Sequence, residues 1–263
     1  MLLQTPEARW RPASWFLLHL LALALLGSWL WSPSNGLWNL LDVEAFHLLN
    51  GSLGQVRAWD LFWALASTRV FDVLVGGMML CLLIREDWIF PRAGVRHALF
   101  TFLGVLLTVL VIRIIVTKVG EHLGWQHASP SMQIASTVHL SDQFPMLERI
   151  GEVKDRSSKS FPGDHATVLL AWGLFMMMFC EGRRRVAILA LALFLCLPRL
   201  VAGAHWFSDD FASGMAIALL GLAWGYCTPL AAGVAMLLEW LARPFIAVAL
   251  HIPGVRRIAV FQR

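Results

Sequence analysis

Charged residues are scarce in this chain. They make up 14% of its 263 residues, whereas 58% are hydrophobic, and a soluble domain of this size carries far more charge. The apolar residues instead form blocks long enough to cross about 30 Å of hydrocarbon. The composition therefore excludes an ordinary soluble domain and predicts an all-α, polytopic membrane protein with a single domain over residues 1–263.

Two other patterns are missing. No segment alternates apolar and polar residues as a strand does, which excludes a membrane β-barrel. The four cysteines lack a Cys-x-x-Cys spacing and lie in or at the ends of apolar runs, so we interpret them as small buried hydrophobic residues. They are Cys81, Cys180, Cys196 and Cys227. We therefore predict no metal site, and we predict no cofactor.

The positive charge of the chain, +4 overall, is distributed as an orientation signal. Lys and Arg cluster in short loops between apolar runs, which is typical of cytoplasmic loops, so nucleic acid is not an expected partner. The pattern predicts six transmembrane helices with both termini in the cytoplasm. The predicted spans are residues 15–31, 61–84, 98–117, 166–180, 186–204 and 211–228.

The ends of the chain allow alternatives. A cleaved signal peptide is the alternative for residues 15–31, but the run is long and no Ala-x-Ala site follows, so we predict an uncleaved helix. Residues 38–50 are expected to form a short interfacial helix. The tail, residues 229–263, is predicted to be cytoplasmic, with its apolar stretch 231–250 at the interface. A seventh span there would place Arg256, Arg257 and Arg263 outside.

Charges within the second predicted span have two interpretations. Arg69 and Asp72 are three residues apart on one helical face, where charges in a membrane usually pair with each other. Alternatively, they support a catalytic site. The polar loop 119–164 is predicted to be periplasmic, and loops of this length tend to be functional.

Two polar motifs flank a pair of adjacent apolar segments. The first is Ser-Phe-Pro-Gly-Asp-His at residues 160–165, and the second runs from residue 198 to residue 209. The two segments are antiparallel, so the motifs meet at one membrane face, where polar groups are costly and usually functional. The topology, which rests on arginine counts alone, places six candidate residues on the outer side. They are Lys118, His127, His165, Arg199, His205 and Asp209.

These residue types suit phosphoryl transfer. Asp209 follows His205 by one helical turn and can fix its tautomer, leaving the other ring nitrogen free to attack. His165 stands at a helix start that favours anions, and Arg199 offers a planar fork for phosphate. The alternative is that the histidines only form structural hydrogen bonds and have no catalytic role. The pattern favours a phosphohistidine mechanism with cationic side chains stabilising the charge.

At these motifs the chain resembles the type-2 phosphatidic acid phosphatase superfamily of integral membrane phosphatases, over residues 61–228. The resemblance implies the six-helix fold of that family. It also implies His205 as the nucleophile, Asp209 as its orienting partner, His165 as the acid for the leaving group and Arg199 as a phosphate ligand.

The motifs depart from the general family pattern at several positions. Gly163 and Asp164 replace Ser-Gly and are expected at the phosphate, although Asp164 has the alternative role of a helix N-cap. Lys118 matches the lysine of the first family motif, and His127 stands at its arginine. Arg113 is a rival cation for this motif.

The variant motifs resemble one branch of the superfamily, the lipid A phosphotransferases of the bacterial inner membrane. The resemblance implies transfer of phosphate from undecaprenyl diphosphate to lipid A on the periplasmic face. A lipid phosphate phosphatase with water as acceptor would use the same residues and remains the alternative. A non-catalytic lipid carrier would need helices broken by Gly or Pro at mid-membrane in both halves, a pattern that the sequence does not show.

Overall fold

The computed structural model describes residues 5–255 and 258–261, and these residues form helices and connecting turns without a β-strand. The predicted all-α class is confirmed for this part of the chain. Arg256, Arg257 and Arg263, for which a cytoplasmic position is predicted, lie outside the described residues.

The first two helices follow each other almost without a break. α1 spans Pro12–Leu30, and α2 spans Ser32–Asn50. Both have a proline in the first turn, where its fixed φ suits a helix and its missing N–H costs no bond. The short helix expected at residues 38–50 therefore begins at Ser32, because Pro33 starts a new helix rather than a loop.

The predicted single span over residues 61–84 is wrong, because the chain breaks into α3, Arg57–Ala66, and α4, Arg69–Ile84. The hydroxyl of Thr68 accepts a hydrogen bond from the N–H of Phe71 at 3.2 Å. Thr68 is thus an N-cap for α4, and a capping threonine supplies one of the bonds that a helix start lacks. The break turns the carbonyl of Ser67 away from the helical ladder.

The longest helix is α5, Val95–Leu123, which runs past the predicted end at residue 117 and stops at the left-handed Gly124 (φ 71°). The last long helix, α12, spans Leu230–Ala249 and packs against α5. The two backbones approach closely at Gly104, where a Cβ atom would lie 2.7 Å from the carbonyl oxygen of Ala231.

Three helices of the described residues are long and apolar enough to cross a membrane: Pro12–Leu30, Arg92–Leu123 and Leu230–Ala249. The predicted count of six spans is not confirmed. α4 and α9, Asp164–Met177, are shorter than these three, with 16 and 14 residues. α12 meets the criterion although the sequence places it at the interface, and the cytoplasmic position of the tail stays a prediction.

The centre of the core is α9, Asp164–Met177, whose Trp172, Phe175 and Met176 are fully buried. α10, Gly182–Val201, returns along it after a four-residue connection (178–181). A π-helical segment, Asp209–Gly214, then leads into α11, Met215–Gly225. The start of α9 and the end of α10 therefore lie together, at the edge where the sequence motifs are predicted to meet.

The cysteines are mostly where the sequence analysis expects them. Cys180, Cys196 and Cys227 are buried free thiols. Cys81 is exposed, so its predicted burial is wrong. It lies on α4, where an apolar sequence run also provides the outward face of the helix.

Candidate active site

A cavity of about 580 Å³ opens where α4, α5, α9 and the end of α10 converge. Its lining includes His165, Arg199, His205, Asp164 and Arg113. The loop between α5 and α9, residues 124–163, contributes further residues to the wall. It contains three short helices: α6, Pro130–Gln133, α7, Leu140–Gln143, and α8, Pro145–Gly151. The cavity lining thus contains four of the eight sequence-predicted site residues: His165, Arg199, His205 and Asp164.

His205 lies just after α10, with both ring nitrogens engaged. Nδ1 lies 2.9 Å from the carbonyl oxygen of Ser160 and 3.8 Å from Oδ2 of Asp209. Nε2 lies 3.3 Å from Oδ1 of Asp164. The carbonyl of Ser160 is therefore the nearer orienting group, and Asp209 acts at longer range. If Nδ1 donates its proton to that carbonyl, Nε2 is the nitrogen left to attack.

The charge state of His205 follows from its surroundings. Burial disfavours the charged ring, but the carboxylates of Asp164 and Asp209 outweigh this and raise the pKa of His205 to about 10. The ring is thus a cation at neutral pH, and its Nε2 has a lone pair for attack only after it gives up its proton.

Asp209 is fully buried and lies between two histidines. Its Oδ1 is 3.0 Å from Nε2 of His127, and its Oδ2 accepts a hydrogen bond from the N–H of Trp206 at 2.9 Å. Burial lowers the pKa of His127, but the bond to Asp209 and its charge raise it by more. The structure thus places His127 against Asp209 rather than on the cavity wall, where a phosphate ligand would lie.

Arg199 is buried and held from the broken helix. Its Nη1 donates to the carbonyl of Ser67 at 2.5 Å, and its Nη2 donates to the carboxylate of Asp72. Asp72 also lies 3.5 Å from Nδ1 of His165. The break before α4 therefore supplies two partners of Arg199, which agrees with the hypothesis that Asp72 supports the site.

Arg69 is not the partner of Asp72. Its Nε donates to Oε2 of Glu152 at 2.6 Å, so the expected pair between Arg69 and Asp72 is wrong. Arg69, at the start of α4, bonds to the loop residue Glu152, whereas Asp72 accepts from Arg199, although both line the cavity.

The turn before α9 is closely packed. The N–H of Gly163 donates to the carbonyl oxygen of Asp209 at 3.0 Å. A Cβ atom on Gly163 would lie 2.3 Å from Oδ1 of Asp210 and 2.8 Å from the Asp209 carbonyl oxygen. Only glycine fits between the two motifs at this distance.

Asp164 is the first residue of α9, one position after the N-cap residue Gly163. Its Oδ1 accepts a hydrogen bond from the N–H of His165 at 2.7 Å, and Oδ2 lies 3.4 Å from Nη2 of Arg113. It therefore satisfies one free N–H of the helix start, as a cap does, and also bridges Arg113 and His205. The capping and functional interpretations are both compatible with this geometry.

Lys118 is not brought to the cavity. Its side chain is 73% exposed, and Nζ bonds to Oε2 of Glu121 at 2.8 Å. Arg113, which precedes it by about one and a half helical turns on α5, lines the cavity in its place. The lysine of the first family motif thus has no contact with the site in this structure.

The sequence analysis missed several cations of the cavity wall. They are Lys154, Arg156 and Lys159 of the loop; Arg69, which the sequence analysis offers as support for a catalytic site, lines the cavity as well. The only sequence signal for them is the mixed charge of the loop, which gives no position. Within residues 5–255 and 258–261, no three His, Cys, Asp or Glu side chains are arranged to hold a metal ion.

Comparisons with known proteins identify the family of the chain. Residues 102–233 match the family model described as PAP2 superfamily; these are 132 of the 263 residues. The chain is 30% identical over 219 residues to the lipid A 1-diphosphate synthase of Escherichia coli (strain K12), an alignment covering 81% of this chain and 87% of that protein. No solved structure matches the chain. The family match contains all the polar residues of the two motifs.

Proposed function

The chain belongs to the PAP2 superfamily, and we propose that it is a phosphotransferase of the bacterial inner membrane. It moves a phosphate from undecaprenyl diphosphate to a phosphate of lipid A on the periplasmic face. The observation that carries the proposal is the arrangement of His205, whose Nε2 faces a cavity lined with cations while Ser160 holds Nδ1. The donor and the acceptor follow from the similarity to lipid A 1-diphosphate synthase.

In the first step, Nε2 of His205 loses its proton to solvent and then attacks the terminal phosphorus of undecaprenyl diphosphate. The bond from this phosphorus to the bridging oxygen breaks, and undecaprenyl phosphate leaves with a proton from the protonated ring of His165. Burial and the charge of Arg199 lower the pKa of His165, and the bound anionic donor favours its protonated form. Arg199 has two donors engaged by Ser67 and Asp72 and retains others for the phosphate. The product is a phosphohistidine, which divides one difficult displacement into two easier ones.

In the second step, an oxygen of the lipid A phosphate attacks the phosphorus on His205. The N–P bond breaks, its electron pair returns to Nε2, and lipid A carries a diphosphate. One phosphoanhydride bond is broken and one is formed, so no other energy source is required. Throughout, charge stabilisation by preorganised cations is the main contribution of the protein.

The second candidate is a lipid phosphate phosphatase. The family match favours it equally, because water in place of the acceptor would release the phosphate from His205 with the same residues. The two functions differ only in the second step.

The experiment that separates them uses purified protein and undecaprenyl diphosphate labelled in its terminal phosphate, with and without lipid A. Label in lipid A supports transfer. Equal amounts of free phosphate in both reactions support hydrolysis. An unaltered donor in both reactions would contradict both proposed functions, the phosphotransferase and the phosphatase.

A further inference from the structure

The cavity holds more positive charge than one phosphate requires. Among the residues that the structure describes, six Arg and Lys side chains and two carboxylates line it, in addition to His205. The Arg and Lys side chains are Arg69, Arg113, Lys154, Arg156, Lys159 and Arg199, and the carboxylates are Asp72 and Asp164. Arg199 lies in the last turn of α10, at the second motif. Arg113 lies on α5 and faces Asp164 of the first motif. The other four form what we call the loop arc: Arg69, Lys154, Arg156 and Lys159.

Arg156 is the best-anchored member of the loop arc. Its Nε bonds to Oδ1 of Asp155 at 3.2 Å, and its Nη2 donates to the hydroxyl of Ser141 at 2.9 Å and to Asp142 at 3.1 Å. Asp155 is buried and also accepts from the N–H of Ser141 at 2.8 Å. These bonds engage three of the five N–H groups of the guanidinium, so the two on Nη1 remain for a phosphate oxygen and are held in a fixed position.

The other members share few carboxylates. Arg69 and Lys154 both bond to Glu152, at 2.6 and 2.5 Å, so two cations face one anion. Lys159 bonds to Glu121 at 3.0 Å. Neither glutamate lines the cavity. The carboxylates thus hold the loop arc from behind, and the cavity wall itself stays positive.

We propose that the loop arc is the binding site for the acceptor's phosphate, a phosphate monoester on a membrane glycolipid. The proposal rests on the proposed transfer function and adds to it the site of the second substrate. Attack of a phosphate on a phosphohistidine brings two anions within a few ångströms, and their repulsion must be offset by nearby cations. A water acceptor has no such requirement, so the loop arc suits a transferase.

The decisive experiment separates the two half-reactions. The double variant Lys154→Gln/Arg156→Gln is compared with wild type for the rate at which labelled donor phosphorylates the enzyme without acceptor, and for the KM of lipid A. We expect the labelling rate to stay within about twofold and the KM of lipid A to rise about tenfold for each lost charged contact. Arg149→Gln is the matched control, because this arginine is exposed on α8, Pro145–Gly151, and does not line the cavity.

A binding measurement tests the loop arc without turnover. Lipid A is titrated into the detergent-solubilised His205→Ala protein with and without the double substitution, and binding is followed by native mass spectrometry. Weaker binding of lipid A, with unchanged binding of lipid A lacking its phosphates, supports the proposal even if wild type transfers nothing. Competition by inorganic phosphate at similar concentrations would show a site for free phosphate and contradict a glycolipid site.

Two results would overturn the inference. Slower labelling by the donor with an unchanged KM for lipid A would assign the loop arc to the second phosphate of undecaprenyl diphosphate. Unchanged lipid A binding and an unchanged KM in the double variant would leave the four cations as solvated partners of their carboxylates. Absence of labelling in wild type would instead refute the proposed function. The binding assay does not depend on turnover, so it would still test the loop arc.

Discussion

Replacing Asp164 with asparagine tests how the proposed nucleophile, His205, is controlled. The substitution keeps a side-chain oxygen for the N–H of His165 and removes the negative charge that lies 3.3 Å from Nε2 of His205. Two unit charges at that distance interact by about 5 kcal/mol at an effective dielectric constant of 20. Because the Asp164 side chain is 54% exposed, solvent screens much of this interaction, and we expect the substitution to lower the pKa of His205 by about 1 to 2.

The direction of the effect on rate is set by the protonation state that reacts. His205 has its pKa raised to about 10, so the free base becomes more abundant as pH rises. In wild type, the labelling rate at low donor concentration should therefore rise with pH towards about 10. In Asp164→Asn the same profile should move to lower pH, and labelling at pH 7 should be about 10 to 100 times faster than in wild type, because the fraction of free base grows in proportion.

The products of the same variant test its effect on the second step. If Asp164 keeps water and stray anions from the phosphohistidine, Asp164→Asn should transfer less phosphate to lipid A and release more free phosphate. The assay is quenched single-turnover labelling from pH 6 to pH 10, with both products quantified. An unaltered pH profile together with an unchanged product ratio would refute this reasoning and leave Asp164 as a structural group at the helix start.

The remaining predictions concern the other site residues and metal. His205→Ala should abolish labelling, since losing a nucleophile costs several powers of ten in rate, and should lower the thermal unfolding temperature by no more than a few degrees. Asp209→Asn should retain a small activity. An active His205→Ala protein would contradict the mechanism. Arg113→Gln should reduce kcat/KM by at least about tenfold, whereas Lys118→Gln should leave it within about twofold; the reverse order would restore the lysine to the site. EDTA should leave the rate unchanged, because the described residues offer no three-ligand cluster; loss of activity that one divalent ion restores would contradict this.

Local sequence signals are sufficient to predict the α9–α10 hairpin and the meeting of its two motifs. Two apolar runs separated by a short basic turn place their outer ends together, and the structure has His165 next to the Leu195 carbonyl near the end of α10, at 3.2 Å. The family and the edge where its site lies can be predicted because motif spacing is a local property of the chain.

Other features depend on contacts that the sequence does not encode locally. The helix break before Thr68 lies within an apolar run that the sequence predicts to be one span. The break allows Ser67 and Asp72 to contact Arg199, which is more than 120 residues away. The loop arc depends on where residues 154–159 cross the cavity, which periodicity cannot give. The position of His127 in the first family motif predicts that it binds the phosphate. In the structure it bonds to Asp209 instead, because the path of the loop brings the two residues together.

The most direct test of the phosphohistidine transfer is the chase of a trapped intermediate. The enzyme is labelled with undecaprenyl diphosphate, part of the sample is quenched in alkali and analysed by peptide mass spectrometry, and the rest is chased with lipid A. We predict acid-labile phosphate on the peptide containing His205 and its transfer to lipid A during the chase. Phosphate on another residue, or its release only as free phosphate when lipid A is present, would contradict the proposal.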